Sequence, residues 1–164
     1  WSEIPKRYIE EDRKVRILEN SINRKLFILA VFNSIVFDFL ARLIVQIHVT
    51  KSILTRLPIP QPTEEELNEN RDYQTLIDNT KKIIAYYSDD FDFEVEKPKT
   101  EEYKEFLEIE NNIIVAKMFG ISYQEMEYIL STFKVLQTKR TAFIETLLHQ
   151  YRKVAEEPPH HSTP

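Results

Sequence analysis

Glycine is nearly missing from this chain: Gly120 is the only one among 164 residues. Sandwiches, barrels and nucleotide-binding α/β folds use many glycines, for tight turns and for close backbone approach. A chain that does without them is built from elements that end on other residues, and helices capped by Ser, Thr or Asp are such elements. The same shortage excludes a phosphate-cradling loop and the glycine-rich turn that holds S-adenosylmethionine in a Rossmann fold. Cysteine is absent altogether. That removes disulfides and thiolate metal sites, and it suits the reducing cytoplasm, where we expect the protein to reside. No signal peptide is visible. The longest charge-free apolar run, Leu26 to Phe37, falls short of the roughly 20 residues of a membrane helix, so no membrane partner is expected. An excess of positive charge is also lacking: 22 Lys and Arg stand against 27 Asp and Glu, a formal charge of -5. Free-standing DNA-binding domains are usually basic, because phosphate neutralisation dominates their affinity.

What remains is an ordinary globular mixture, 42% hydrophobic and 30% charged. It carries enough apolar material for the core of one domain. The expected fold class is all-α: a multi-helix bundle with one very apolar central helix, a Pro-rich strap over 57–62 and at most one short strand over 91–95. Residues 1–155 are read as one helical domain or a fragment of a larger protein, and 156–164 as a disordered tail. The chain begins at Trp1 and not at Met, which fits an excised piece.

Apolar spacing places the helices. Weak markers (Ile4, Tyr8, Val15, Leu18) allow one over 4–18. The most apolar helix is expected over about 22–45, where Leu26, Phe27, Leu29, Phe32, Ile35, Val36, Phe39, Leu40 and Leu43 leave almost no polar face. A helix like that needs neighbours on several sides. Asp38 and Arg42 stand four apart and can pair. A short helix over 50–56 stops at Pro58, Pro60 and Pro62, whose alternation favours an extended strap. Thr63 to Glu66 forms a capping box that opens a helix to about Ser88. Phe91, Phe93 and Val95 alternate with acids, as a short strand or an extended linker would. Thr100 caps the next helix, Gly120 lies where a helix-ending glycine belongs, and Ser122 to Glu125 forms a second capping box. A last helix is expected over about 138–155, on Phe143, Ile144, Leu147, Leu148 and Tyr151.

Chemistry-bearing constellations are few, and no catalytic residue, metal ligand or cofactor-binding residue is assigned to this chain. Glu102-Tyr103-Lys104 has a nuclease-like spacing downstream of Asp89, Asp90 and Asp92. It falls in the first turn of a helix, where a solvated face is the simpler reading. His48 stands alone, and metal sites need several ligands. His160 and His161 sit in the Pro-rich tail. The phenylalanines of the 22–45 helix read as core, because base-stacking aromatics sit on open basic surfaces.

Two stretches go further. The first runs Leu29 to Arg42 through Asn33-Ser34 and Phe37-Asp38-Phe39, then His48-Val49-Thr50, then Ile53 to Pro60 through Leu57-Pro58-Ile59. The second runs Ala116 to Phe133 through Phe119-Gly120-Ile121-Ser122, Glu125 and Tyr128-Ile129-Leu130. In order and spacing they resemble the C-terminal region of type IIG restriction–modification enzymes and related phage-defence adenine-specific DNA methyltransferases. Thr138 to Tyr151 is similar to that family's last helix. One departure is Thr50, where the family commonly has Asn.

The resemblance implies a parent that methylates adenine in duplex DNA after flipping the base out. S-adenosylmethionine would be the parent's cofactor. The catalytic residues would lie upstream, because the family's Asn-Pro-Pro-aromatic signature is absent here. This chain would be a non-catalytic recognition and scaffold segment, whose partners are the rest of the methyltransferase and, through it, DNA. The residues expected near DNA are Arg42, His48, Thr50, Lys51 and Arg56. Thr50 and Lys51 stand at an expected helix start, which favours phosphate. By charge, only the first third of the chain is expected to face a phosphate backbone. The bland alternative is that Arg42 pairs with Asp38 and His48 packs. The alternative function is a helical protein–protein interaction module with no nucleic-acid role.

Overall fold

The computed structural model describes residues 21–44, 57–91 and 93–156. Among these the fold is all-α, as the periodicity predicts. The helices are α1 (Ser21–Phe32), α2 (Ile35–Ile44), α3 (Glu64–Glu69), α4 (Arg71–Tyr87), α5 (Glu101–Met118), α6 (Tyr123–Thr132), α7 (Lys134–Lys139) and α8 (Thr141–Glu156). The expected helices over 4–18 and 50–56, and residues 157–164 of the tail, lie outside the described residues. Glu156, assigned to that tail, is instead the last residue of α8.

The helix expected over 22–45 is two helices that meet at 71°. Apolar spacing runs through the break, but Asn33 and Ser34 carry side chains that compete with the helical backbone. Ser34 Oγ donates to Val31 O at 2.7 Å and accepts from Phe37 N at 3.2 Å. One buried hydroxyl thus closes α1 and caps α2. The next backbone donor, Ile35 N, reaches across the molecule to Asn112 Oδ1 at 2.8 Å. No single helix among the described residues is long and apolar enough to cross a membrane. The bent α1–α2 pair has the length, but Phe27, Val31 and Val36 are fully buried against the rest of the chain.

Local chemistry sets the other ends. Thr63 and Glu66 exchange both capping-box hydrogen bonds, at 2.7 and 3.1 Å. Ser122 and Glu125 do the same at 2.6 and 3.3 Å. The helix expected to run from this first box to Ser88 divides at Asn70, whose side chain caps α4 by accepting from Asp72 N and Tyr73 N. Gly120, at φ +64°, ends α5. Gly120 N donates to Lys117 O and Ile121 N to Ala116 O, both at 3.0 Å, which is the Schellman arrangement. The last helix, expected from 138, divides at Arg140, which is drawn to Glu105 and Glu108 on α5. Residues 91–95 form no strand among the described residues. Phe91 and Phe93 stack with ring centroids 5.8 Å apart, and a Lys97–Asp89 ion pair at 2.7 Å closes the loop.

The centre of the bundle is α5. Ile109 and the whole stretch Asn111 to Ala116 are buried. One face of α5 joins a core made with α1, Leu57 of the strap, Leu67 and α4. Its other face joins a core with Val36, α6 and α8. The more apolar α1–α2 stretch contributes to both cores but keeps Leu29, Phe32 and Leu43 exposed. Asn111 and Asn112 satisfy buried polar groups from α4 and α2, so the two polar positions inside the buried stretch of α5 are paired. The strap is tied down by Arg24, which donates to Pro62 O at 3.1 Å.

Candidate nucleic-acid interface

Of the five residues expected near DNA, Arg42 is described; His48, Thr50, Lys51 and Arg56 lie outside the described residues. Arg42 sits in the last turn of α2. Its Nε and Nη2 donate to the two oxygens of Asp38 at 3.0 and 2.7 Å. The guanidinium lies 4.4 Å from the centre of the Phe133 ring. The pairing expected from the i, i+4 spacing is therefore present, and the hydrogen bond to Asp38 raises the guanidinium pKa. Both side chains stay accessible, at 60% and 45% of their free areas. An ion pair that exposed is worth about 0–1 kcal/mol, so a phosphate could displace Asp38 at small cost.

Arg42 forms one wall of a groove of about 550 Å³. Phe133, Val135 and Leu136 line it, and Asp38, Lys134, Lys139 and Arg140 complete its rim. Lys134 and Lys139 have no carboxylate partner among the described residues, so the rim is basic although the chain as a whole is acidic. These residues lie outside the first third of the chain, where the basic edge was expected. The available signal was Lys134, Lys139 and Arg140 within seven positions, but their convergence on Arg42 depends on how α2 packs against α6 and α7.

Behind the groove runs a polar network along α5. Arg140 Nη2 donates to Glu105 at 2.5 Å and to Glu108 at 2.8 Å, and its guanidinium lies 4.1 Å from the Phe143 ring centre. Burial works against this charge, but the hydrogen bonds to Glu108 and Glu105 outweigh it and raise the pKa. Glu108 also meets Lys104 Nζ at 3.2 Å. Lys104 donates to Glu101 at 2.8 Å and to the Tyr87 hydroxyl at 3.2 Å.

Lys104 is 3% exposed, so the reading of Glu102-Tyr103-Lys104 as a solvated helix start fails for the lysine. Burial lowers its pKa, and the bonds to Glu101 and Tyr87 with the charge of Glu108 more than reverse this. Lys104 is a buried cation that joins α4 to α5. Its partners are Glu101 and Glu108, not Glu102, and Asp89 is paired with Lys97. The nuclease-like spacing therefore does not converge on one site. His149 is exposed on α8.

No protein-family model, curated protein or solved structure matches this chain.

Proposed function

We propose that this chain is a C-terminal helical recognition and scaffold segment of an adenine-specific DNA methyltransferase of the restriction–modification or phage-defence type, without catalytic activity of its own. The observation that carries the reading is the meeting of its two family-like stretches. Val36 of the first shares one core with Met126, Ile129 and Leu130 of the second and with Leu147 and Tyr151 of the last helix. Stretches far apart in the sequence that form one packing unit are what a common structural role requires. The basic groove at Arg42, Lys134 and Lys139 gives the unit a face for the phosphate backbone. S-adenosylmethionine belongs, on this reading, to the upstream region: the single glycine, Gly120, is committed to ending α5.

A second reading, a helical protein-interaction module with no nucleic-acid role, is favoured by the exposure of Leu43, Tyr128 and Val135, at 67%, 64% and 67%. In the methyltransferase reading these residues face the rest of the parent. Methyl transfer separates the two. The full-length protein, with all upstream sequence, is incubated with unmethylated duplex DNA and S-adenosylmethionine labelled in the methyl group, and the DNA is digested to nucleosides. Label in N6-methyladenine is the expected result. Absence of transfer, together with an upstream sequence lacking a glycine-rich turn and an Asn-Pro-Pro-aromatic motif, would overturn the reading.

A further inference from the structure

The loop between α4 and α5 is the acidic counterpart of the basic groove. Asp89 to Glu96 holds five acids in eight positions and no base. Neighbouring lysines take up part of this charge: Asp89 meets Lys97 at 2.7 Å, and Glu96 meets Lys99 at 3.7 Å. Asp90 and Glu94 are exposed and have no cationic partner among the described residues. Between them Phe91 stands 55% exposed, its ring stacked within 5° of parallel on Phe93. A phenylalanine pair fringed by free carboxylates has the layout of an interface patch, an aromatic centre with a polar border.

The groove offers what this patch lacks. Val135 is 67% exposed and lines it together with Phe133 and Leu136. Lys134 and Lys139 have no carboxylate partner among the described residues, and Asp38 on the rim is held by Arg42. Two free lysines thus match two free carboxylates. No described residue of the loop lines the groove of its own chain. The base of the loop and the groove nevertheless share one edge of the bundle. Tyr87, the last residue of α4, lines one cavity of about 360 Å³ with Leu136 and Arg140 of the groove. The Tyr87 hydroxyl is also linked to Arg140 through Lys104 and Glu108, by contacts of 3.2, 3.2 and 2.8 Å. Complementary patches on one edge allow two copies, related by a two-fold axis, to make the same contact twice.

We propose that a second copy of this chain docks at the groove, each protomer inserting its acidic loop into the other. Phe91 and Phe93 of one protomer pack against the partner's Val135 and the partner's Leu136. Asp90 and Glu94 meet the partner's Lys134 and the partner's Lys139. Apolar contact supplies affinity, and the charges fix register and speed the encounter. The inference goes beyond the proposed function, since it needs neither DNA nor methyl transfer. It gives the groove a competitor for phosphate, because both anions seek the same two lysines.

The test is sedimentation velocity of the full chain at about 0.1 M and about 1 M salt, between which the screening length falls from roughly 10 to 3 Å. A reversible dimer at the lower salt, weakened about ten-fold or more at the higher, is expected. Asp90→Lys with Glu94→Lys reverses the charge of the loop, and Lys134→Glu with Lys139→Glu reverses that of the groove. All four positions are exposed, so folding should change little. Each double variant alone is expected to stay monomeric. Mixed in equal amounts the two should associate again: one contact then joins the original loop to the original groove, and the other joins a basic loop to an acidic groove. Phe91→Ser leaves every charge in place and should weaken the dimer about five-fold or more, as loss of an aromatic anchor does. A chain that stays monomeric at the lower salt, whether or not its groove takes up duplex DNA or an acidic peptide, would overturn the proposal. So would a dimer that either double variant keeps, or a mixture that does not reassociate.

Discussion

The backbone N–H of Ile35 donates to the side chain of Asn112 at 2.8 Å, across 77 positions of sequence. Asn112 is 6% exposed and also donates to Glu108 O at 2.8 Å. It therefore acts as a cap for α2 supplied by another helix. Asn112→Leu keeps the γ-branched shape, at a larger volume, but leaves Ile35 N and Glu108 O without these partners. A loss of about 2 kcal/mol in urea unfolding is expected, from the usual cost of a buried group left unpaired. A loss below about 0.5 kcal/mol, the range of surface substitutions, would mean that water replaces the amide and that the bend does not depend on it.

Lys104→Met tests the buried cation. The side chain is 4% exposed, while its partners Glu101 and Glu108 retain 63% and 21% of their surface. Breaking a fully buried pair costs about 3–5 kcal/mol, and the access of these carboxylates to water reduces that to roughly 1–3 kcal/mol. The expected signature is a lower urea midpoint with an unchanged denaturant slope. Equal stability of Lys104→Met and the parent chain would make the lysine's charge irrelevant to the α4–α5 joint.

Acid sensitivity should arise at the helix starts. The Ser122 backbone and hydroxyl hold Glu125 below its ordinary value of 4.5, and Lys104 and Tyr86 do the same for Glu101. A carboxylate whose pKa is depressed on folding adds stability above the unfolded value and loses it as pH falls through the folded one. Both contributions should therefore be complete above about pH 5 and fade at lower pH. Glu125→Gln keeps an acceptor for Ser122 N and removes the titration, so its stability should fall less steeply between pH 5 and 3 than that of the parent chain (window set by the ordinary value of Glu). Parallel pH profiles for the two proteins would remove Glu125 from the acid response.

Much of this architecture follows from short-range chemistry. The boxes at Thr63 and Ser122 and the glycine at 120 are each completed within five residues, so the sequence reveals them directly. The bend at Asn33 and Ser34 is hidden, because apolar spacing passes through it and the partner that stabilises it, Asn112, is remote. The burial of Lys104 is hidden for a similar reason: Tyr87 comes from another helix, and only Glu101 and Glu108 are local. The basic groove is half-legible. Arg42 stands out beside Asp38, whereas Lys134 and Lys139 become relevant only when α7 is laid beside α2.

Tyr151 tests the seam between α8 and the turn after α5. Its hydroxyl donates to Ile121 O, and the residue is 2% exposed. Burial, with the nearby charge of Glu125, raises the phenol pKa, so the donor stays protonated over the whole physiological range. Tyr151→Phe keeps the ring and removes the donor. The expected loss is about 1 kcal/mol, one hydrogen bond with its acceptor still half-open to water. A larger loss accompanied by exposure of the Met126 and Leu147 core, read as binding of a hydrophobic dye, would show that the hydroxyl holds the turn itself.

The groove makes the last prediction, for DNA. The isolated chain carries a formal charge of -5, so it should give little or no electrophoretic shift of duplex DNA even at low salt. In the full-length protein, Lys134→Gln with Lys139→Gln removes two cations that have no carboxylate partner among the described residues. Each phosphate contact contributes about 0.9 to the slope of log affinity against log salt, so the double variant should lower the slope by up to about 2, with equal effect on all sequences. Arg42→Gln should add a smaller change, because Asp38 already offsets its charge. A double variant with unchanged affinity and slope would turn the basic rim away from DNA and leave the exposed Leu43, Tyr128 and Val135 surface as the working face.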